Sequence, residues 1–175
     1  MVALRYVSRS ARRRSLWYVR EMNDIDYRAV EARVRAAVAA APDAPGALER
    51  AVAGIKASLP DYSWVGIYLR RGDELVLGPF LGKPSPHTRI PVGRGICGAA
   101  AAEKQTIVVD DVNADERYLA CSLETRSEIV VPIIGDGTVL GEIDIDSDRV
   151  AAFGAGDRAL LEAIAQALAD RLAQG

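Results

Sequence analysis

The sequence is poor in the residues that cross-link small proteins or bind metal ions. It has two cysteines and one histidine in 175 residues. Two cysteines in a chain of this length do not form a disulfide scaffold. The single histidine, His87, offers the one imidazole, and the spacing of the cysteines matches no usual zinc pattern. The sequence therefore predicts neither a disulfide-rich secreted domain nor a bound metal.

A strong net charge and long apolar runs are also absent. The formal net charge is −2, which gives no general attraction to nucleic acid or to a membrane surface. No apolar run is long enough to span a membrane, and the first residues lack the apolar stretch of a signal peptide. We therefore expect a cytoplasmic protein. In that reducing compartment a lasting disulfide is unusual, whereas a transient catalytic one is feasible.

The charge that is present is unevenly distributed. Residues 1–22 carry six arginines and one glutamate, a balance of +5, and because the whole chain carries −2 the remainder carries −7. A short arginine-rich segment is usually a solvated extension, and a basic interaction arm is the alternative. Met22 as the true start would remove it altogether. We predict a basic, flexible extension over residues 1–22 and a single domain over residues 23–175.

Apolar periodicity predicts the secondary structure of that domain. Helical spacing predicts helices over residues 25–41, 46–59 and 157–172, the first capped by Asn23 or Asp24. Strict alternation predicts a strand over residues 62–71. Further strands are predicted over residues 74–80, 88–92, 105–112, 127–134 and 138–147, with a short helix over 95–104.

The order of these elements predicts an α+β fold. Tight turns at Gly72 and at Gly135-Asp136-Gly137 join neighbouring strands, so the strands should be antiparallel. The longer helices lie towards the two ends of the chain and should form one layer on one face of the sheet. A ligand pocket would then lie on the other face.

The strand over residues 138–147 has one acidic face. Glu142, Asp144 and Asp146 alternate with Ile143 and Ile145. If the isoleucines pack under the helices, the opposite sheet face collects Trp64, Tyr68, Glu128, Asp144 and Asp146. An aromatic wall over an acidic floor suits a small cationic or zwitterionic ligand. The alternative is that this face is the solvated side of an antiparallel sheet.

The two thiols fall near this acidic face in the predicted order of elements. Cys97 lies in the first turn of a helix, where the helix dipole lowers a thiol pKa. Cys121 lies in a polar loop. Either cysteine could instead be an inert, buried apolar residue, and for Cys97 the two readings are balanced. His87, in a proline-rich loop, is either a surface residue or a base that activates Cys121.

Several motifs resemble those of one enzyme family. The segments YSWVGIYL, GRGICGAAA, VVDDV, LAC, SEIVVPI and LGEIDIDS resemble the GAF-domain enzymes called free methionine-(R)-sulfoxide reductases, over roughly residues 24–173. The resemblance implies a GAF fold and reduction of free methionine-(R)-sulfoxide by a cysteine thiolate through sulfenic acid and disulfide intermediates. It also implies no bound cofactor, a thioredoxin-like external thiol reductant, a homodimer, and no nucleic-acid or membrane partner.

The resemblance assigns roles to individual residues by motif position. Cys121 matches the reactive cysteine, and Cys97 matches the cysteine after GRGI that would resolve the sulfenic acid. The acids that hold the substrate's amino group and oxygen, and the aromatic residues around its methyl group, correspond to Glu128, Asp144, Asp146, Trp64 and Tyr68. His87 would stand beside them at the substrate.

The chain departs from the family pattern at two positions in this region. His87 occupies the place where many members have a third cysteine that can act as the resolving one, so Cys97 or an outside thiol must take over. Arg126 stands among residues that are small or polar in the family, where it would lower the thiol pKa or occupy the pocket. These departures leave a non-catalytic GAF module, binding a small molecule or sensing oxidants, as the alternative function.

Overall fold

The computed structural model describes residues 25–119 and 122–173. Within them the chain forms four α-helices, α1 Tyr27–Ala39, α2 Ala44–Ser58, α3 Gly95–Glu103 and α4 Ala155–Leu172. Six strands accompany them, β1 Trp64–Arg71, β2 Glu74–Leu81, β3 Arg89–Pro91, β4 Ile107–Val109, β5 Ser127–Gly135 and β6 Thr138–Ser147. The predicted α+β class and its element order are confirmed. The predicted extension over residues 1–22 lies outside the described residues.

The strands form one antiparallel sheet in the order β3-β2-β1-β6-β5-β4. The β5–β6 hairpin turns at Asp136 and Gly137, whose φ angles of 49° and 72° are those of a type I′ turn. The central pair, β1 and β6, joins strands far apart in sequence. Its register sets Trp64 opposite Asp146 and Gly66 opposite Asp144.

One face of the sheet carries the main hydrophobic core under α1, α2 and α4. The strand residues predicted to face the helices all lie in this core and are at most 1 % exposed: Val65, Ile67, Ile129, Val131, Ile143 and Ile145. Burying each such side chain contributes about 1.5–3 kcal/mol. A slip of β6 by one residue would move its carboxylates into this core, so the register is strongly specified.

Helices α1 and α2 begin at side-chain caps, Asp26 and Asp43, and the cap of α1 differs from the prediction. The cap of α1 is Asp26, whose carboxylate accepts a hydrogen bond from the Ala29 amide at 3.0 Å, so the prediction of Asn23 or Asp24 is wrong. The reason is that Ile25, the first residue of the predicted helix, is 44 % exposed and precedes the observed helix. Among the described residues, no helix combines the length and the hydropathy needed to cross a membrane.

A buried carboxylate joins three segments of the helical layer. Asp157 in α4 accepts hydrogen bonds from the hydroxyls of Tyr62 at 2.6 Å and Tyr27 at 3.0 Å through Oδ1. Its Oδ2 accepts the Gly154 amide at 2.8 Å. Burial and the neighbouring carboxylate raise the pKa of Tyr27 to about 12, so its hydroxyl remains a donor. This network fixes α1 and the segment after α2 to the start of α4.

We predict that Tyr62→Phe lowers the free energy of unfolding by about 1.5–3 kcal/mol, because a buried hydrogen bond to a carboxylate is lost. Urea denaturation monitored by circular dichroism measures it. The control is Glu31→Gln, which breaks an exposed ion pair with Arg35 and should change stability by less than about 0.5 kcal/mol. Equal stabilities of the two variants would show that the network contributes nothing.

Candidate active site

The sheet face opposite the helices is covered, not solvated. It carries Trp64 and Tyr68 from β1 and four acids from β5 and β6, Glu128, Glu142, Asp144 and Asp146, and none of these is more than 7 % exposed. Helix α3 and the segments around β3 and β4 pack over this face in a second hydrophobic cluster. The alternative of a solvated sheet face is therefore wrong.

A cavity of about 80 Å³ opens between this face and the loops above it. Its lining is Ser63, Trp64, Tyr68, Lys83, Ser85, Ser122, Glu124, Thr125, Asp144 and Asp146. Four of these residues were predicted for the site, whereas the serines, Thr125, Lys83 and Glu124 were not. Apart from Ser63, which falls inside the predicted strand over residues 62–71, they come from loops without a periodic signal. The exposed side chains of Lys83 and Glu124 form an ion pair of 2.5 Å.

Two glycines fix the aromatic wall. A Cβ at Gly66 would lie 2.0 Å from the Trp64 indole, and one at Gly82 would lie 2.5 Å from it, so the ring occupies the space that these side chains would fill. The indole N–H donates to the Lys83 carbonyl at 3.0 Å. The Tyr68 hydroxyl donates to the His87 carbonyl at 2.8 Å. The apolar surfaces of both rings are thereby held beside the acids.

The four acids are buried without a cation among the described residues. None of them takes part in an ion pair there. Within the same part of the chain, both oxygens of Glu142 and Oδ1 of Asp144 have no hydrogen-bond partner. Such groups are costly to bury in the charged form. The arrangement therefore favours either protonated acids or a cationic ligand.

The pKa values follow from this burial. Burial raises the pKa of Asp144 to about 7. Burial, and then repulsion from Asp144, raise the pKa of Glu128, Glu142 and Asp146 well above the ordinary range. Asp144, which also lines the cavity, is thus the acid able to exchange a proton near neutral pH.

Cys97 lies against these acids. It is 5 % exposed in the first turn of α3, and its Sγ is 3.8 Å from Oε1 of Glu128. Burial raises the pKa of the Cys97 thiol well above its usual range, and the charges of Asp144, Glu142 and Glu128 raise it further. The prediction that the helix N-terminus lowers the pKa of the Cys97 thiol is therefore wrong, because burial and three carboxyl groups outweigh the helix dipole.

Cys121, the predicted nucleophile, lies outside the described residues, and its role stays a prediction. The residues on either side of the gap are described. Leu119 packs on Gly95 at the start of α3, where a Cβ would lie 2.7 Å from Leu119 Cδ1. Ser122 lines the cavity, and its carbonyl accepts the Tyr118 hydroxyl at 3.3 Å. The described residues on the two sides of the gap thus lie against α3 and against the cavity.

The structure decides one of the predictions for Arg126 and leaves the predicted role of His87 untested. His87 is half-buried in the loop between β2 and β3, where its amide donates to Ser85 Oγ at 3.1 Å; its role as a base stays a prediction. Arg126 is exposed and lies 3.8 Å from Asp111, away from the cavity lining, so the alternative in which it fills the pocket is wrong, whereas its effect on the Cys121 thiol stays a prediction. Its neighbours Thr125 and Ser127 are buried, and alternation turns Arg126 outward.

Glu142 is the buried residue that the site prediction missed. It is fully buried and influences the Cys97 thiol, although the site prediction included its neighbours Asp144 and Asp146 only. The signal that could have found it was in the sequence, since all three acids occupy alternate positions of β6 and share a face.

Comparison with known proteins identifies the family to which this fold belongs. The GAF domain model matches residues 43–172. The chain belongs to the GAF domain family. Helix α1, which precedes the matched residues, packs on the same core and so extends this GAF domain towards the N-terminus.

Relatives of this GAF domain include reductases. Protein YtsP of Bacillus subtilis is 43 % identical over 119 residues, 67 % of this chain and 72 % of YtsP. The free methionine-R-sulfoxide reductase of Saccharomyces cerevisiae is 46 % identical over 110 residues, 61 % of each chain. The structure of free methionine-R-sulfoxide reductase from Neisseria meningitidis, in complex with its substrate, superposes with a TM-score of 0.81 at 37 % identity, covering 99 % of this chain and 96 % of that one.

We predict that the Asp144→Asn variant loses less stability between pH 5 and pH 8 than the unmodified protein does. The raised folded-state pKa means that Asp144 contributes stability below pH 4, which is lost as the pH rises towards about 7. A shift of this size corresponds to roughly 4 kcal/mol when fully lost. The amide cannot ionise, so the variant should lose less stability than the unmodified protein over this range.

Urea denaturation at pH 5, 6, 7 and 8 measures this difference. Asp111→Asn, which changes a half-exposed acid, is the matched control and should leave the pH profile unchanged. Parallel profiles for the Asp144→Asn variant and the unmodified protein would contradict the assignment.

Proposed function

We propose that this chain reduces free methionine-(R)-sulfoxide to methionine. The observation that carries the proposal is the cavity, in which two fixed aromatic rings face acids that have no cation partner among the described residues. Free methionine sulfoxide has an ammonium group, a polar sulfoxide and an apolar methyl group. The acids suit the first two groups and the rings suit the third.

The relatives support this substrate. The Neisseria protein that superposes over nearly the whole chain is described as a free methionine-R-sulfoxide reductase in complex with its substrate. A Staphylococcus aureus relative, 35 % identical and with a TM-score of 0.79, is likewise described in complex with substrate. The same function in this chain would require a nucleophile and a proton donor at the cavity.

We assign the first chemical step to Cys121 and Asp144. The Cys121 thiolate attacks the sulfoxide sulfur and forms a sulfur–sulfur bond while the sulfoxide oxygen takes up a proton. The resulting hydroxyl then passes to the sulfur of Cys121 as the sulfur–oxygen and sulfur–sulfur bonds break, so that methionine and Cys121 sulfenic acid form. Sulfoxide oxygen leaves readily only when protonated, which requires an acid nearby. Asp144 has its pKa raised to about 7 by burial and lines the cavity, so it can carry that proton at neutral pH.

The second step regenerates the thiol. Cys97 attacks the Cys121 sulfenic acid, releasing water and forming a disulfide, before further oxidation occurs. A thioredoxin-like dithiol then reduces that disulfide, so that one sulfoxide and two external thiols give methionine, water and one external disulfide. Because Cys97 is buried with a raised pKa, its attack needs a base, and the Glu128 carboxylate 3.8 Å away can take the thiol proton once it is ionised.

The partner and cofactor assignments follow from this cycle. No bound cofactor is required, since the electrons come from external thiols. A reducing cytoplasm would supply the thioredoxin-like partner. The homodimer remains a proposal that rests on the resemblance.

We predict that Cys121→Ser abolishes methionine release, by a factor of about 10³ or more, because the hydroxyl cannot accept the oxygen. Turnover of free L-methionine-(R)-sulfoxide is measured with dithiothreitol and, separately, with thioredoxin, thioredoxin reductase and NADPH. Cys97→Ser should still release one methionine per chain in a single turnover but lose thioredoxin-supported cycling.

The matched control is Leu123→Ser. Leu123 lies two residues after Cys121 and its side chain is 99 % exposed, so this variant should retain full activity. Full activity of the Cys121→Ser variant would exclude the assigned nucleophile.

The alternative function is a GAF module that binds a small molecule or senses oxidants without turnover. The buried Cys97 thiol with its raised pKa favours it, because such a thiol reacts slowly. The name of YtsP states no activity. Absence of methionine release by the unmodified protein with both reductants, together with tight sulfoxide binding or an oxidant-induced disulfide, would support this alternative over the reductase.

A further inference from the structure

The acidic floor of the cavity also has the composition and spacing of a metal site. One ligand atom each from Cys97, Glu128 and Asp144 lies within 4.8 Å of the others, and all three residues are buried. They come from α3, β5 and β6, so no sequence spacing could reveal them. The sequence-based expectation of no metal rested on the single histidine and on cysteine spacing.

A second observation points to a ligand at this cluster. Glu142 is fully buried, and apart from the weakly donating Cys97 thiol neither of its oxygens has a hydrogen-bond partner among the described residues. Glu142 occupies the position of β6 two residues before Asp144, so its carboxylate lies on the face of the sheet that carries the cluster. A buried carboxylate without a partner is costly unless a proton or a cation meets it.

The distances suit zinc. In a tetrahedral site with zinc–sulfur bonds of about 2.3 Å and zinc–oxygen bonds of about 2.1 Å, a sulfur and an oxygen ligand are about 3.6 Å apart. The Sγ of Cys97 and Oε1 of Glu128 are 3.8 Å apart, so this pair needs to move by only a few tenths of an ångström, and the Asp144 ligand atom lies within 4.8 Å of both. Magnesium and calcium prefer oxygen ligands throughout, whereas a thiolate favours zinc.

We propose that Zn²⁺ binds Cys97, Glu128 and Asp144, with Glu142 as a fourth ligand or as a hydrogen-bond acceptor for zinc-bound water. Binding displaces the thiol proton to solvent and neutralises part of the buried negative charge. Asp144 lines the cavity, so the ion reaches the cluster from there and occupies the position of the substrate's ammonium group. Zinc therefore competes with free methionine sulfoxide; this competition, unlike the binding itself, rests on the proposed function.

Metal binding is measured directly on the reduced full chain. Co²⁺ serves as a spectroscopic probe, because a thiolate ligand gives a charge-transfer band in the near ultraviolet and tetrahedral coordination gives intense visible bands. Zn²⁺ affinity is measured by competition with a chromophoric chelator. We expect one ion per chain and a thiolate-to-cobalt band.

Variants identify the ligands. Cys97→Ser should remove the band and weaken Zn²⁺ binding by about 100-fold or more, whereas Cys121→Ser should retain both. Glu142→Gln should weaken binding by about 10- to 100-fold. Asp111→Asn is the control and should change nothing. If Cys97→Ser fails to fold by circular dichroism, Asp144→Asn tests the same site.

Two results would overturn the site: no band and no chelator competition, or a band that is lost in Cys121→Ser and kept in Cys97→Ser. In the activity assay, Zn²⁺ should raise the apparent KM for methionine sulfoxide without changing kcat. Bound zinc that leaves the KM unchanged would refute the competition. Because the cobalt band does not depend on turnover, an inactive protein that binds the metal refutes the proposed function and leaves the site standing.

Discussion

Four carboxyl groups buried on one face of an antiparallel sheet are the constraint on which the rest of the site depends. Strand alternation fixes them there, because the neighbouring Ile143 and Ile145 must enter the core under the helices. Burial of the isoleucines on one face stabilises the fold, whereas burial of the carboxyl groups on the other face costs free energy. That cost is reduced when the acids are protonated or when a cation enters, and both are properties a binding site can use.

The remaining features of the cavity serve this acidic face. Gly66 and Gly82 leave room for the Trp64 ring, and the carbonyls of Lys83 and His87 hold the indole N–H and the Tyr68 hydroxyl. The rings exclude water from the acids and so strengthen their interaction with any cation that enters. An ammonium group and a zinc ion would each compensate the buried negative charge, which is why the proposed substrate and the proposed metal occupy the same position.

The sequence predicted most of the fold and the two faces of the sheet, because periodicity and turn chemistry are local. It could not predict which faces loops cover, and so it left open whether the acids were solvated. It assigned Cys97 a lowered pKa from its position at a helix start, whereas burial beside Glu128 raises it. It also missed Glu142 and the convergence of Cys97, Glu128 and Asp144, since contacts between three separate elements depend on tertiary packing.

The central claim is that the buried acids bind the ammonium group of a small zwitterion. Calorimetric titration of the Cys121→Ser variant with free L-methionine-(R)-sulfoxide and with its N-acetyl derivative tests it without turnover. The account predicts that acetylation, which removes the cation, weakens binding by about 30-fold or more. Equal affinities for the two compounds would contradict it.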